Sequence, residues 1–183
     1  MRAEEVEPLS REEVRRIVNA LDSTRDKALV AFLYLTGARI SEALQVRAED
    51  FQLKDEWLLV RLITLKKRRR KKDGYKPKPP RIVPIPLKDP LSRHVLAWVR
   101  QVGEGRLWPF TRRWALEIVK RGARRAGIRR RVWLHLLRHS RLTELVAEYD
   151  YGEFQLMRFT GWSDARPADT YIKLKWRDLA KKL

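Results

Sequence analysis

The sequence predicts a mainly α domain with a small antiparallel β-sheet, an α+β fold. Three observations support this class: most of the chain has apolar residues at helical spacing, two short segments have the composition of strands, and a long basic segment joins those two. A length of 183 residues fits one domain. We therefore expect a single domain over residues 1–183, with a basic hairpin insertion at about 64–81 and a C-terminal tail at about 172–183.

The first two helices have clear start and stop signals. Ser10 and Glu13 form a capping box, in which each side chain satisfies a backbone N–H at the helix start. Residues 26–35 are apolar on nearly every side, as in a helix buried at the centre of a domain. Gly37 ends this helix, because glycine readily adopts a positive φ. We expect Ser41 to cap a short helix after it.

The middle of the chain predicts a hairpin with a cationic connection. Residues 57–63 and 81–85 have the composition of strands, and the connection at 66–80 contains seven consecutive basic residues. Like charges in one run repel each other and favour extended, solvated conformations. Beyond this hairpin the periodicity predicts helices at about 90–102, 111–126, 135–149, 153–160 and 167–181.

Positive charge is concentrated in the second part of the chain. Residues 1–65 contain 12 acidic and 10 basic side chains, whereas residues 66–183 contain 11 acidic and 32 basic ones. The formal net charge is +19. Such a field attracts polyanions, and counterion release then supplies affinity for nucleic acid. This distribution favours DNA or RNA binding over a merely solvated or ribosome-type basic surface.

Composition excludes several other classes of protein. The chain has no cysteine, which excludes disulfides, thiolate metal sites and cysteine nucleophiles. It has no apolar run of the length that a membrane span needs, and its N-terminus is charged where a signal peptide would be apolar. We expect a cytoplasmic, nucleoid-associated protein without a membrane partner. Abundant Arg and Glu with a single Asn are typical of thermophilic proteins.

Arg39 is the first candidate for a reactive site. It lies in the segment TGARISE, at a turn between two predicted helices, where its guanidinium can be held rigidly. The fork of donors on a guanidinium suits a pair of phosphate oxygens. An ordinary ion pair at a helix end is the alternative for Arg39 alone.

Two later segments add further candidates. In HLLRHS, His135 and Arg138 are three residues apart and share a helix face, so both can approach one anion. His139 is expected to face elsewhere, as a buried hydrogen-bonding residue. In TGWSD and beyond, Tyr171 follows Trp162 by nine residues, although an aromatic at this position could also be part of the core.

Taken in order, TGARISE, a hairpin with lysines, HLLRH, TGWSD and Tyr171 resemble the catalytic domain of tyrosine recombinases, the phage integrase family. The resemblance extends from about residue 8 to residue 175. It implies a helical catalytic domain with a small sheet, and an enzyme that cleaves and rejoins DNA strands through a 3′-phosphotyrosyl intermediate without metal, ATP or another cofactor. The implied partner is double-stranded DNA, on which family members assemble as tetramers; a monomer is expected in solution.

The resemblance also implies a role for each matching residue. Tyr171 is the nucleophile, and Arg39 and Arg138 bind the non-bridging phosphate oxygens. His135 adds a hydrogen bond or assists proton transfer, while Trp162, at a position that is usually histidine, can donate only through its indole N–H.

The hairpin lysine of the family, which would protonate the leaving 5′ oxygen, falls on Lys66, with Lys67 as the alternative. Glu42 matches a frequent acidic position of the family, and two roles stay open for it: orienting basic side chains, or a purely structural one. The basic run would contact the DNA backbone through Lys67, Arg68, Arg69, Arg70, Lys71 and Lys72.

The sequence also departs from the family pattern. The N-terminal DNA-binding domain of most members is expected to be absent, and the basic insertion is longer than a typical hairpin. Two other functions stay open at this point: a nicking and closing activity like that of type IB topoisomerases, and a non-catalytic DNA-binding module that has kept the fold.

Overall fold

The computed structural model describes residues 6–63 and 79–172. Within these ranges the predicted α+β class is confirmed, with helices forming most of the domain around one three-stranded antiparallel sheet. The elements are α1 Arg11–Asn19, α2 Thr24–Thr36, α3 Ile40–Ala43, β1 Phe51–Lys54, β2 Trp57–Leu62, β3 Arg81–Pro86, α4 Ser92–Val102, α5 Arg112–Arg125, α6 Leu134–Ala147 and α7 Glu153–Thr160. Residues 168–172 are also helical.

Helix α2 is the centre of the core, as its sequence predicts. Every residue from Ala28 to Thr36 is buried, and α1, α4 and α6 pack around the helix. The capping box before α1 is confirmed: the Ser10 hydroxyl accepts from the Glu13 N–H at 3.1 Å, and the Glu13 carboxylate accepts from the Ser10 N–H at 2.8 Å. The capping box therefore defines the start of α1, and the apolar residues of α2 place that helix at the centre of the core.

The sheet has the order β1-β2-β3, with both neighbouring pairs antiparallel. The two predicted strands are confirmed, and their register places Leu62 opposite Arg81. Strand β1 was not predicted, because its alternation of apolar and polar residues extends over only four positions. The inner face of β3 carries Arg81, Val83 and Ile85, so a charged residue continues the buried row.

The prediction that Ser41 caps the short helix is wrong. Arg39 is the N-cap residue of α3, and its N–H donates to the Glu42 carboxylate at 2.9 Å. Because Glu42 supplies the acceptor that the first N–H needs, the helix starts before Ser41, which lies exposed in its first turn.

Two predicted segments lie largely outside the described residues. These are the cationic connection and the greater part of the helix predicted at 167–181. In the described part of the chain, no helix is both long and apolar enough to cross a membrane.

A close contact between α1 and α5 generates a stability prediction. A Cβ atom on Gly122 would lie 2.9 Å from Ile17 Cγ2 and 3.1 Å from the Ile17 carbonyl oxygen. Alanine favours a helix over glycine by about 1 kcal/mol, but overpacking typically destabilises by about 1–3 kcal/mol. We expect Gly122→Ala to lower the free energy of unfolding in a urea titration. Lys120→Ala, on the exposed face of α5, is the control and should change it by less than about 0.5 kcal/mol. A Gly122→Ala protein as stable as wild type would contradict this packing.

Candidate active site

The predicted site residues converge where α2 and α7 end, next to the start of β3 and one face of α6. The described residues of this site include those that the sequence singled out: Arg39, His135, Arg138, Trp162 and Tyr171. The predicted hairpin lysine and basic run lie outside the described residues, namely Lys66, Lys67, Arg68, Arg69, Arg70, Lys71 and Lys72.

The end of α2 positions Arg39. Thr36 is fully buried, and its hydroxyl donates to the Phe32 carbonyl at 2.6 Å and accepts from the Ala38 N–H at 3.2 Å. Gly37 follows with φ of +57°, a conformation that favours glycine. The chain therefore turns sharply after α2 and presents Arg39 on a short, hydrogen-bonded segment.

The end of α7 repeats this arrangement and positions Trp162. The buried Thr160 hydroxyl donates to the carbonyl four residues earlier at 2.7 Å and accepts from the Trp162 N–H at 3.3 Å. The glycine that follows Thr160 has φ of +72°. The two helix ends touch, since a Cβ atom on Gly37 would lie 3.2 Å from the Phe159 ring.

A buried ion cluster joins Arg39 to β3. Glu42 is 1% exposed, and its carboxylate accepts from Arg81 Nη2 at 2.8 Å, Arg81 Nη1 at 3.3 Å and Arg39 Nη1 at 3.3 Å. Arg81 Nε donates to the Phe159 carbonyl at 2.9 Å. Burial opposes the ionised form of Glu42, but the hydrogen bonds and charges of Arg81 and Arg39 outweigh it and lower the pKa of Glu42. Glu42 is thus ionised and orients both guanidinium groups.

Arg81 is a site residue that sequence reasoning missed. It begins a strand whose alternate residues are buried, and this alternation was the signal that could have identified it as inward-facing. An inward-facing arginine needs a buried acid, and Glu42 was the acidic residue already under consideration. Arg81 therefore connects the start of β3 to both the α3 turn and the end of α7.

Arg138 is buried at the centre of the site. Its side chain is 2% exposed, its Nη1 donates to the Gly37 carbonyl, and its guanidinium carbon lies 5.7 Å from the centroid of the Trp162 ring. Its Nη2 is buried without a hydrogen-bond partner among the described residues. Burial, together with the positive charges of Arg39 and Arg81, lowers the pKa of Arg138 to about 10.

These charges favour the binding of an anion at the site. Three guanidinium groups, those of Arg39, Arg81 and Arg138, surround the single carboxylate of Glu42. Among the described residues the positive charge therefore exceeds the negative charge locally, and none of them supplies an acceptor to the buried Arg138 Nη2. A bound oxyanion would relieve both the repulsion between the arginines and the unsatisfied hydrogen bond.

His135 lies next to this cationic centre. One side of His135 is exposed to solvent. Burial of its other side, together with the positive charges of Arg138 and Arg39, lowers the pKa of the imidazole. The predicted proximity of His135 to Arg138 agrees with the electrostatic interaction between them. A neutral imidazole here can donate one hydrogen bond to an oxygen bound by the arginines.

Tyr171 is packed against Trp162 at the edge of the site. It is 8% exposed, and its ring stacks on the Trp162 ring with centroids 6.0 Å apart and planes inclined by 26°. Burial raises the pKa of the Tyr171 hydroxyl, and the charge of Arg138 acts in the opposite direction. The hydroxyl is therefore protonated at neutral pH and needs an acceptor before it can attack an electrophile.

The prediction that His139 faces away from the site is wrong. Its Nδ1 lies 3.4 Å from the Tyr171 hydroxyl, and its Nε2 lies 3.2 Å from the Val6 carbonyl. The reason is helical geometry: residues four apart lie on the same face, so His139 follows His135 along α6. His139 is half-buried rather than buried, but its two ring nitrogens have the hydrogen-bonding contacts that the sequence predicts.

The fold and the site together define a class of protein: a small α+β domain in which a cationic pocket lies beside a buried tyrosine. The chain belongs to the phage integrase family, whose model matches residues 7–177. The resemblance found in the sequence is thereby confirmed.

Curated relatives support the same family. The tyrosine recombinase XerA of Thermococcus onnurineus is 29% identical over 187 residues, which cover 94% of this chain and 60% of that protein. A tyrosine recombinase of Thermosipho africanus is 30% identical over 142 residues, which cover 75% of this chain and 47% of that protein. The chain thus spans about half to three fifths of the length of these relatives.

Solved structures share the fold. A crystal structure of XerA recombinase superposes with a TM-score of 0.76 at 19% identity, covering 96% of this chain and 62% of that one. The XerH site-specific recombinase bound to its difH substrate, in a pre-cleavage complex, gives a TM-score of 0.71 at 20% identity, covering 90% of this chain and 50% of that one.

The Arg81 and Glu42 pair generates a prediction about stability. Removing one partner of a buried ion pair destabilises by about 3–5 kcal/mol, because the other charge is left uncompensated. We expect Arg81→Met and Glu42→Leu each to lower the free energy of unfolding by this amount in urea titrations. The double variant should lose less than the sum of the two, since Arg39 is half-exposed and can reach water. Strictly additive losses would show that the two side chains do not depend on each other.

Proposed function

We propose that this chain is the catalytic domain of a site-specific DNA recombinase, which cleaves and rejoins DNA strands through a 3′-phosphotyrosyl intermediate. The observation that carries the proposal is the buried Arg138 guanidinium, with one N–H free of protein partners in the described region, next to Tyr171 and among further arginines. Family membership supports the same activity.

In this proposal Arg39 and Arg138 hold the scissile phosphate. The Gly37 carbonyl fixes one arm of the Arg138 guanidinium, which leaves Nη2 for a non-bridging oxygen. Glu42 holds Arg39 at the opposite side of the same charge cluster. Donors that are already in place stabilise the negative charge that develops as phosphorus becomes five-coordinate, with no reorganisation during the step.

Tyr171 is the proposed nucleophile. Its phenolic oxygen forms a bond to phosphorus, and the bond from phosphorus to the 5′ oxygen breaks. The departing 5′ oxygen needs a proton, because an alkoxide is a poor leaving group, and Lys66 is the proposed donor. The ester bond to tyrosine retains the energy of the broken linkage, so rejoining reverses these steps. We propose that neither metal nor ATP takes part.

His135 and Trp162 complete the proposed phosphate site. His135 supplies a neutral imidazole donor to an oxygen held by the arginines. Trp162 contacts both Arg138 and Tyr171, so it would position the anion-binding group and the nucleophile relative to each other. An indole N–H can donate a hydrogen bond but does not exchange protons at neutral pH, so Trp162 positions groups and transfers none.

The proposed substrate is double-stranded DNA. Its backbone would be bound by the basic run at residues 67–72, and the excess of basic residues beyond residue 65 would supply further contacts. We propose a monomer in solution, a tetramer on paired DNA sites and a cytoplasmic, nucleoid-associated location. XerH, with which this chain shares its fold, has been crystallised on its DNA substrate, and this supports DNA as the partner.

A covalent capture experiment tests the proposed function. The protein is incubated with a pool of random-sequence DNA duplexes whose bridging 5′ oxygens are replaced by sulfur, because a thiolate leaves readily and does not rejoin efficiently. We expect a protein–DNA adduct that survives a denaturing gel, forms in the presence of a metal chelator and identifies the target when its DNA is sequenced. Tyr171→Phe, which lacks the nucleophilic oxygen, should form none.

The control for capture is a variant of a tyrosine outside the site. Tyr149→Phe, on the exposed surface after α6, should form the adduct at the wild-type rate. An adduct that persists in Tyr171→Phe would assign the nucleophile elsewhere. The absence of any adduct on DNA that the protein binds would favour a DNA-binding module without catalysis.

Arg138 generates a second kinetic prediction. Removing one preorganised donor to a developing oxyanion slows a reaction by about 10²- to 10³-fold. We expect Arg138→Lys to slow adduct formation on the captured duplex by this factor, because an ammonium cannot bond the Gly37 carbonyl and the phosphate with the same geometry. DNA affinity, measured by fluorescence anisotropy, should change far less. Arg124→Lys, at an exposed position of α5, is the matched control and should react at the wild-type rate.

A further inference from the structure

His139 lies between a fixed carbonyl and the proposed nucleophile. One ring nitrogen, Nε2, is 3.2 Å from the Val6 carbonyl oxygen, and the other, Nδ1, is 3.4 Å from the Tyr171 hydroxyl. The rings of His139 and Tyr171 are 5.4 Å apart at their centroids. In the described residues, the hydroxyl of Tyr171 has no other side-chain hydrogen-bond partner.

The chemistry of these two contacts determines which ring nitrogen carries the proton. A carbonyl oxygen can only accept a hydrogen bond, so Nε2 of His139 must be the protonated nitrogen. In a neutral imidazole the other nitrogen, Nδ1, then has a free lone pair. Nδ1 lies 3.4 Å from the hydroxyl of Tyr171, so in this tautomer the hydroxyl donates and His139 accepts.

The Val6 carbonyl is held in place by its neighbours along the chain. The Leu9 N–H donates to Ser140 Oγ at 2.8 Å, next to His139 on α6. Arg130 Nη2 donates to the Pro8 carbonyl at 3.1 Å. The segment before α1 is therefore hydrogen-bonded both to α6 and to Arg130, which precedes that helix, and the Val6 carbonyl that contacts His139 belongs to this segment.

We propose that His139 is the general base that removes the proton of Tyr171, an inference that rests on the proposed function. In this step the proton moves from the Tyr171 hydroxyl to His139 Nδ1 as the phenolic oxygen bonds to phosphorus. The bond from phosphorus to the 5′ oxygen breaks, and that oxygen takes a proton from an ammonium side chain or water. The resulting imidazolium keeps its second N–H on the Val6 carbonyl, and rejoining returns the Tyr171 proton.

The two histidines of α6 would contact different groups in the proposed reaction. His135 lies among the charges of Arg138 and Arg39, where an imidazole can contact the phosphate. His139 is one helical turn further along α6 and contacts the nucleophile instead. Burial lowers the pKa of His139, so its imidazole is neutral and able to accept a proton at neutral pH.

A structural test needs no DNA. Nitrogen NMR of the histidine rings in the full chain should show His139 protonated at Nε2 and unprotonated at Nδ1. Tyr171→Phe should shift the Nδ1 resonance, because the hydrogen bond to the hydroxyl is lost, and leave His94 on α4 unchanged. A proton on Nδ1 in the wild-type protein would overturn the proposal.

A kinetic test uses adduct formation on the captured duplex, with either oxygen or sulfur as the bridging 5′ atom. Loss of a general base slows a step by about 10²- to 10⁴-fold, and we expect this for His139→Ala on both substrates, because a better leaving group does not activate the nucleophile. Replacing Tyr171 by a fluorotyrosine, whose phenol is more acidic, should restore much of the rate. His139→Gln should also be slow, and His94→Ala is the matched control.

The possible results separate this proposal from the proposed function. If wild type forms an adduct and folded His139→Ala forms it within threefold of the wild-type rate, His139 is not the base. If sulfur substitution alone restores His139→Ala, the histidine assists the leaving group and the proposal is wrong. If wild type forms no adduct at all, the proposed function fails, and the NMR result still decides whether His139 accepts the hydrogen bond.

Discussion

The buried carboxylate of Glu42 is the group on which the rest of the site depends. A carboxylate removed from water is strongly unfavourable unless it is paired and hydrogen-bonded. Arg81 and Arg39 both bond it, and Arg81 also bonds the last turn of α7 through the Phe159 carbonyl. One anion therefore connects the α3 turn, the start of β3 and the end of α7, which are the segments that carry or adjoin the proposed phosphate-binding residues.

Positive charges lie close together in the same cluster, and the fold holds them there. Arg138 is buried close to Arg39 and Arg81, and both raise the energy of its charged form. Helix α6 and the Gly37 carbonyl nevertheless hold it in place. Such an arrangement is unfavourable for stability alone, because hydrophobic residues would fill the space without repulsion. It is favourable for the proposed function, in which the site binds an anion whose charge increases, since the donors are fixed before that anion binds.

The fold could largely be predicted from the sequence, and the site only in part. The sequence predicts well those features that depend on neighbouring residues. The capping box at Ser10 and the continuous apolar surface of α2 both formed as expected. Strand β1 was missed because it has only four residues and is stabilised by pairing with β2, which is a tertiary effect. The ordered motifs pointed to the proposed site residues because family resemblance depends on spacing along the chain; these are Arg39, His135, Arg138, Trp162 and Tyr171.

The two residues of the site that sequence reasoning misjudged are defined by contacts across the fold. Arg81 depends on a buried partner 39 positions away, and its role shows only when β3 packs against the α3 turn. His139 depends on the Tyr171 hydroxyl and on the Val6 carbonyl, 133 positions away. The sequence around each residue does not show partners that are so distant along the chain. The helical and strand periods do indicate on which face of its element each side chain lies.

The paired threonine–glycine helix ends have a consequence for how the protein reaches its active form. The contacts that join them to the site are distant in sequence: Arg138 bonds Gly37 across 101 positions, and Arg81 bonds Phe159 across 78. Closing such long loops is entropically unfavourable and is completed only when most of the native structure is present. A nascent or partly folded chain therefore carries the reactive side chains without their mutual arrangement. The proposed cleavage of a DNA strand therefore depends on the complete fold, because only the complete fold brings the anion-binding groups together.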